Sequence, residues 1–314
     1  MSTNAKPRHV RNTVELVFTL YLLMVPYWSL AHDSPATVIS QLTATMADEG
    51  VSAELFFRRA SEFRAIRYYQ RAAYDLTQAL ALDNTMVAAR LELARLQLQN
   101  QGNGNRSKSD SPLSKDPLAT IASLTTHDDH AIRAAAVALR GEIYLAKQQW
   151  KEAAADFTES LSVEPNLAWF LWRAEAHMQL GLDDEAIEGL KIAYAVTQSP
   201  VVRKTLCDSY LAVVKKKRSD DSPIDSLSAG NSYLEQASMI IEEELVENRL
   251  KSSWRIRSGK VLMLRGDSHK AHEELRKALE ELDARLETSH PDPALVQDRI
   301  TAQSLLAECT QLHQ

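Results

Sequence analysis

Residues 134–166 read AAAVALRGEIYLAKQQWKEAAADFTESLSVEPN, and this stretch decides the fold. It reads as two amphipathic helices folded back on each other. Gly141 and Tyr144 stand three apart in the first helix, Ala153 and Phe157 four apart in the second, and Pro165 stops the unit. The small residues Gly141, Ala153 and Ser160 let the paired helices approach closely, while Tyr144 and Phe157 supply the bulk between neighbours. One such hairpin cannot bury both apolar faces, so copies are expected on either side.

Working outward, residues 53–84 carry Ala60, Phe63, Ala72, Leu76 and Ala79 at the same intervals, with Asn84 where Pro165 stood. Downstream, Leu167 to about Pro200 repeats the pattern with Ala174, His177, Gly181, Ala186, Leu190 and Ala193. Residues 252–288 do so with Gly259, Leu262, Gly266, Ala271, Leu275 and Ala278. Asp283 replaces the final proline there, so the last second helix is expected to run on to Thr288.

Two gaps are filled by counting. Ala119 lies 34 residues before Ala153 and Ala237 lies 34 before Ala271; Ala94 follows Ala60 by 34 and Cys207 follows Ala174 by 33. Each gap therefore holds one more hairpin, with a polar loop insert between its helices at 100–117 and 215–230. Both inserts are rich in Ser and Asp and neither is expected to bury a core.

This spacing resembles the tetratricopeptide repeat. The resemblance covers residues 51–288 and implies an all-α, right-handed α-solenoid of about six hairpins. An N-terminal helix within 32–50 leads the array, beginning at the Ser-Pro entry signal near residue 34, and a cap helix within 289–314 closes it. The cap carries Leu295, Ile300, Leu305 and Leu306. In the family, the first helices line a concave groove that holds peptides. Carried onto this chain, the groove residues are Phe57, Ser61 and Arg64; Leu91 and Arg95; Glu142; Leu171, Glu175 and Met178; Lys204 and Asp208; and Ile256, Lys260 and Met263. The chaperone-tail subclass uses Lys and Asn where Phe57 and Ser61 stand, which disfavours that ligand. Basic ends with Glu142 and Glu175 between them suit a ligand of mixed charge.

Composition agrees with a helical globular protein: 45% apolar, 25% charged, and only 9 Gly and 10 Pro in 314 residues. A net charge of -6 argues against a general nucleic-acid binder. Lys6, Arg8 and Arg11 precede the apolar run Leu16–Tyr27, and Ser29-Leu30-Ala31 offers small residues. Residues 1–31 thus read as a secretory signal peptide, making the protein exported, periplasmic or secreted. The alternative is an uncleaved membrane anchor, the only expected membrane contact. Cys207 and Cys309 are the only cysteines and are expected to be buried free thiols.

Chemistry offers little competition to binding. His127-Asp128-Asp129-His130 is a compact metal-like cluster, but it precedes a helix, where Asp serves as a cap; no metal site is assigned. His32 would be the mature amino terminus and a weak copper chelator. Among Trp169, Phe170 and Trp172, Phe170 is expected in the core and one tryptophan on the groove. Nucleophile elbow, phosphate-cradling loop and zinc-protease helix are lacking, so neither catalysis nor a cofactor is expected. The expected function is a protein- or peptide-binding scaffold. The alternatives are a structural subunit of a larger envelope or secretory complex, or a regulatory partner of a separate enzyme.

Overall fold

The computed structural model describes residues 34–102, 111–219, 224–247, 251–288 and 292–311. The signal-peptide reading of 1–31 and the chelating terminus at His32 fall outside these residues. Fourteen α-helices follow one another in the described residues, with one 3-10 turn. The chain divides into two compact units, Met1–Thr120 and Ile121–Gln314, each with its own apolar clusters.

In the first unit, α1 (Pro35–Asp48) begins at Ser34, whose hydroxyl accepts from the Thr37 N–H at 3.2 Å, with Pro35 in the first turn. A hairpin follows, α2 (Ala53–Ala65) and α3 (Tyr69–Leu82), and then α4 (Val87–Gly102). The core joins Ala60, Phe63, Ala72, Leu76 and Ala79 to Ala89, Leu93, Leu96 and Leu113.

The second unit holds four hairpins: α6 (His130–Ala146) with α7 (Trp150–Leu161), α8 (Leu167–Gln179) with α9 (Asp183–Thr197), α10 (Pro200–Ser219) with α11 (Ile224–Glu247), and α12 (Ser252–Arg265) with α13 (Ser268–Thr288). The last helix, α14 (Pro293–Gln311), packs on α12 and α13. Gly141 is required by close approach, because a Cβ there would lie 3.0 Å from two ring carbons of Phe157. Ser160 lets α7 reach α6 directly, its hydroxyl donating to the Ala134 carbonyl at 2.9 Å.

The alanine ruler holds at five of its six second-helix marks. Ala72, Ala153, Ala186, Ala237 and Ala271 are fully buried, as are the first-helix marks Ala94 and Cys207. Ala119 is exposed, contrary to expectation. Its helix, α5 (Pro117–Ile121), has only five residues, and the burial passes to Ile121 and Leu124.

The inserts also differ from their expected form. Within 100–117, the 3-10 turn Pro112–Ser114 is packed: Leu113 is buried, and Gln97 Nε2 and Asn100 Nδ2 donate to the Pro112 and Leu113 carbonyls. One apolar residue suffices to anchor an otherwise polar segment when its carbonyls find donors. Within 215–230, α10 continues to Ser219 and α11 starts at Ile224, leaving 220–223 between them. The extra length is helical on both sides, and Lys216, Lys217 and Arg218 complement the carbonyl end of α10.

Candidate functional site

In the first unit the expected face consists of Phe57, Ser61 and Arg64 on α2 and Leu91 and Arg95 on α4. Phe57 is half-buried against the core, and the Ser61 hydroxyl donates to its carbonyl at 3.2 Å. Leu91 is half-buried and Arg95 exposed. Arg64 Nε meets Glu92 Oε1 at 2.8 Å, so this cation already has a carboxylate of its own chain.

In the second unit Glu142 on α6 is half-buried; on α8, Leu171 and Met178 pack against the core while Glu175 is exposed. Lys204 stands exposed on α10, one turn before Asp208. Ile256 corrects the expected set: it is only 3% exposed, clustered with Ala278, Leu282 and Ala302 beneath α14. One turn before Lys260 the same helix face runs into surface that the cap helix covers. Trp169 and Phe170 are both buried, and Trp172 packs its ring 5.7 Å from Phe157, so this aromatic group is mainly structural.

Three expected residues are brought together. Asp208, Lys260 and Met263 line a cavity of about 390 Å³ formed by α10, α12 and α14. Its floor is apolar, with Leu211, Leu264 and Leu305, and Lys215 and Glu308 complete the rim. Leu211 and Lys215 follow Asp208 by three and seven residues, the spacing of one helix face, so the helical register could have found them. Leu305 and Glu308 come from the cap, whose docking no local pattern encodes.

The charges on this rim are not equivalent. Arg257 Nη2 donates to Asp208 Oδ2 at 2.6 Å while its guanidinium lies 5.3 Å from the Trp254 ring centre, which neutralises the acid. Lys215 and Lys260 make no ion pair among the described residues. With Asp208 paired to Arg257, the rim sets Lys215 and Lys260 against the one carboxylate of Glu308, a net positive edge over an apolar floor, fit to hold an aliphatic side chain next to a carboxylate.

The metal-like tetrad behaves as a cap. Asp129 Oδ1 accepts from the Ala131 and Ile132 N–H groups at 2.8 and 3.1 Å, and these bonds hold its carboxyl below the usual carboxylate range. Among the described residues, no group of three or more His, Cys, Asp or Glu could hold a metal ion. Cys207 and Cys309 are buried and free; burial pushes the Cys207 thiol up to about 12. No helix of the described residues is long and apolar enough to cross a membrane.

No protein-family model matches the sequence, and no curated protein matches it. Solved structures do resemble it. A tetratricopeptide repeat protein from Parabacteroides merdae aligns with a TM-score of 0.53 at 15% identity, covering 93% of this chain and 99% of that one. A thermophilic TPR protein of Thermus thermophilus aligns with a TM-score of 0.44 at 20% identity, covering 68% and 100%. The fold is thus that of the tetratricopeptide-repeat proteins: an all-α solenoid of helical hairpins.

Proposed function

We propose that this chain is a non-enzymatic scaffold that binds a protein through the first-helix face of its second unit, acting outside the cytoplasm. The observation that carries this reading is the cavity among α10, α12 and α14, where Lys215 and Lys260 outnumber the one unpaired rim acid, Glu308, over Leu211, Leu264 and Leu305. Such a site suits an extended acidic peptide with an aliphatic anchor, held by charge at the rim and burial at the floor. The basic, apolar and small-residue segments of residues 1–31 support the extracytoplasmic setting.

Affinity capture on the purified chain followed by peptide mapping would identify the bound segment. Charge reversal by Lys215→Glu and Lys260→Glu is expected to weaken its binding at least tenfold with an unchanged circular dichroism spectrum. Binding that survives both reversals rules the cavity out.

A second reading, a subunit buried in a larger complex, is favoured by the outer face of α11. Met239 and Val246 there are 62% and 82% exposed. Met239→Glu would then release the chain from its complex, while Lys260→Glu would leave it bound.

A further inference from the structure

In two hairpins an arginine just before the small first-helix residue forks onto an aspartate 16 residues later. Arg59 holds both oxygens of Asp75 at 2.7 and 2.8 Å, and Arg140 holds both oxygens of Asp156 at 2.8 Å. The α8–α9 hairpin keeps the arginine and lacks the acid: Arg173 is present, but position 189 is glycine. A Cβ at 189 would lie 3.3 Å from Arg173 Nη2, so the guanidinium already lies against the place where its missing partner's side chain would begin. Arg173 is half-buried, stacks 5.6 Å over Phe170 and has no carboxylate among the described residues; burial alone draws its pKa down.

A second unpartnered group stands one turn along the same helix. His177 Nδ1 is buried without a hydrogen-bond partner. The imidazole, one turn from Arg173, lines a neighbouring cavity of about 650 Å³ between α7 and the α8–α9 turn, whose apolar wall includes Ala154, Leu180 and Leu182, with Lys151 and Glu159 at its edge; Arg173 itself stands outside that lining. The corresponding position in the first unit also opens outward, since Arg59 and Asp75 themselves line a cavity of about 480 Å³.

We infer that the half-exposed guanidinium of Arg173, left without the acid its sister arginines hold, receives a carboxylate from outside the chain, an acidic side chain of a partner protein whose aliphatic neighbour seats on Leu180 and Leu182. Arg173 supplies the fork its sister arginines give to Asp75 and Asp156, and His177 Nδ1 supplies a further polar contact once the site is filled. This site lies apart from the cavity under α14 and does not depend on it.

The test uses the full chain, acetate as the bare carboxylate and the dipeptide acetyl-Asp-Leu-amide, read by the Arg173 Nε–Hε and His177 ring resonances against chloride at equal ionic strength. Both probes are expected to shift these signals, the dipeptide with a Kd at least roughly tenfold lower. Gly189→Asp supplies the acid internally and is expected to abolish both shifts. Gly189→Ala, which adds helix propensity without a carboxylate, retains them, and in Arg173→Gln the His177 ring resonances no longer respond to either probe. Resonances unmoved by either probe, shifts that persist in Gly189→Asp, or equal affinity for both probes would overturn the inference.

Discussion

Arg140 and Asp156 join α6 to α7 through two parallel hydrogen bonds of 2.8 Å, with Asp156 nearly sealed from water and Arg140 only partly so. Removing one partner leaves the other charge desolvated. Asp156→Ala is therefore expected to cost about 3 kcal/mol in urea denaturation, and replacing both residues with aliphatics of similar volume to recover most of that loss. Equal losses in the single and double variants would show that packing, and not the charge pair, holds the hairpin.

Gly259 faces Leu275 more closely than Gly141 faces Phe157: a Cβ would sit 2.7 and 2.8 Å from Leu275 Cγ and Cδ2. Gly259→Ala should destabilise by about 1–3 kcal/mol. Leu275→Ala alone should cost about 2–5 kcal/mol. Combined, the two should cost clearly less than their sum, because the new methyl enters the space the leucine vacated.

Four hairpin turns among the described residues share a left-handed residue that only two of them fill with glycine. Gly181 and Gly266 have φ of +76° and +80°, whereas Arg67 and Gln148 stand at the same turns with φ of +62° and +58°. A side chain there costs of order 1 kcal/mol. Gln148→Gly is expected to raise the denaturation midpoint modestly, and Gln148→Val to lower it.

Asp129 gives the fold an acid-sensitive helix start. Its folded-state pKa is depressed, first by the Ile132 N–H and then by that of Ala131. The stability it contributes is therefore fully present above the ordinary aspartate pKa and is lost as pH falls through the lower folded value. Asp129→Asn keeps a capping acceptor without the titration. The stability difference between wild type and this variant should shrink as pH is lowered from 5 to 2, and a difference that stays constant would refute the assignment.

How much of this was legible beforehand follows from the kind of signal each feature leaves. Ala72, Ala153, Ala186, Ala237 and Ala271 could be found by counting because close helix packing forbids a larger residue at each. Ala119 satisfied the count yet lies exposed, since a period cannot report that a helix has shrunk to five residues. Among the proposed face residues, Asp208, Lys260 and Met263 converge because they sit on neighbouring first helices. Ile256 failed because its burial is imposed by α14, an element outside the repeat. The Arg–Asp forks leave a weaker mark although both partners recur 16 residues apart, because charged residues are common on every solvated helix face and a spacing shared by two hairpins does not stand out among them. Gly189 leaves no mark of its own, since its significance lies in the acid it replaces.

The two buried cysteines give the molecule a pair of internal clocks. Cys207 lies in the cluster joining the α8–α9 and α10–α11 hairpins, and Cys309 lies under the inner face of α14 against Leu275 and Ala271. A thiol reagent can reach Cys309 once the terminal helix lifts, whereas Cys207 must wait for a hairpin to open. Labelling at Cys309 should therefore run ahead, and the ratio of the two rates would time the fraying of the array's end against the breathing of its middle.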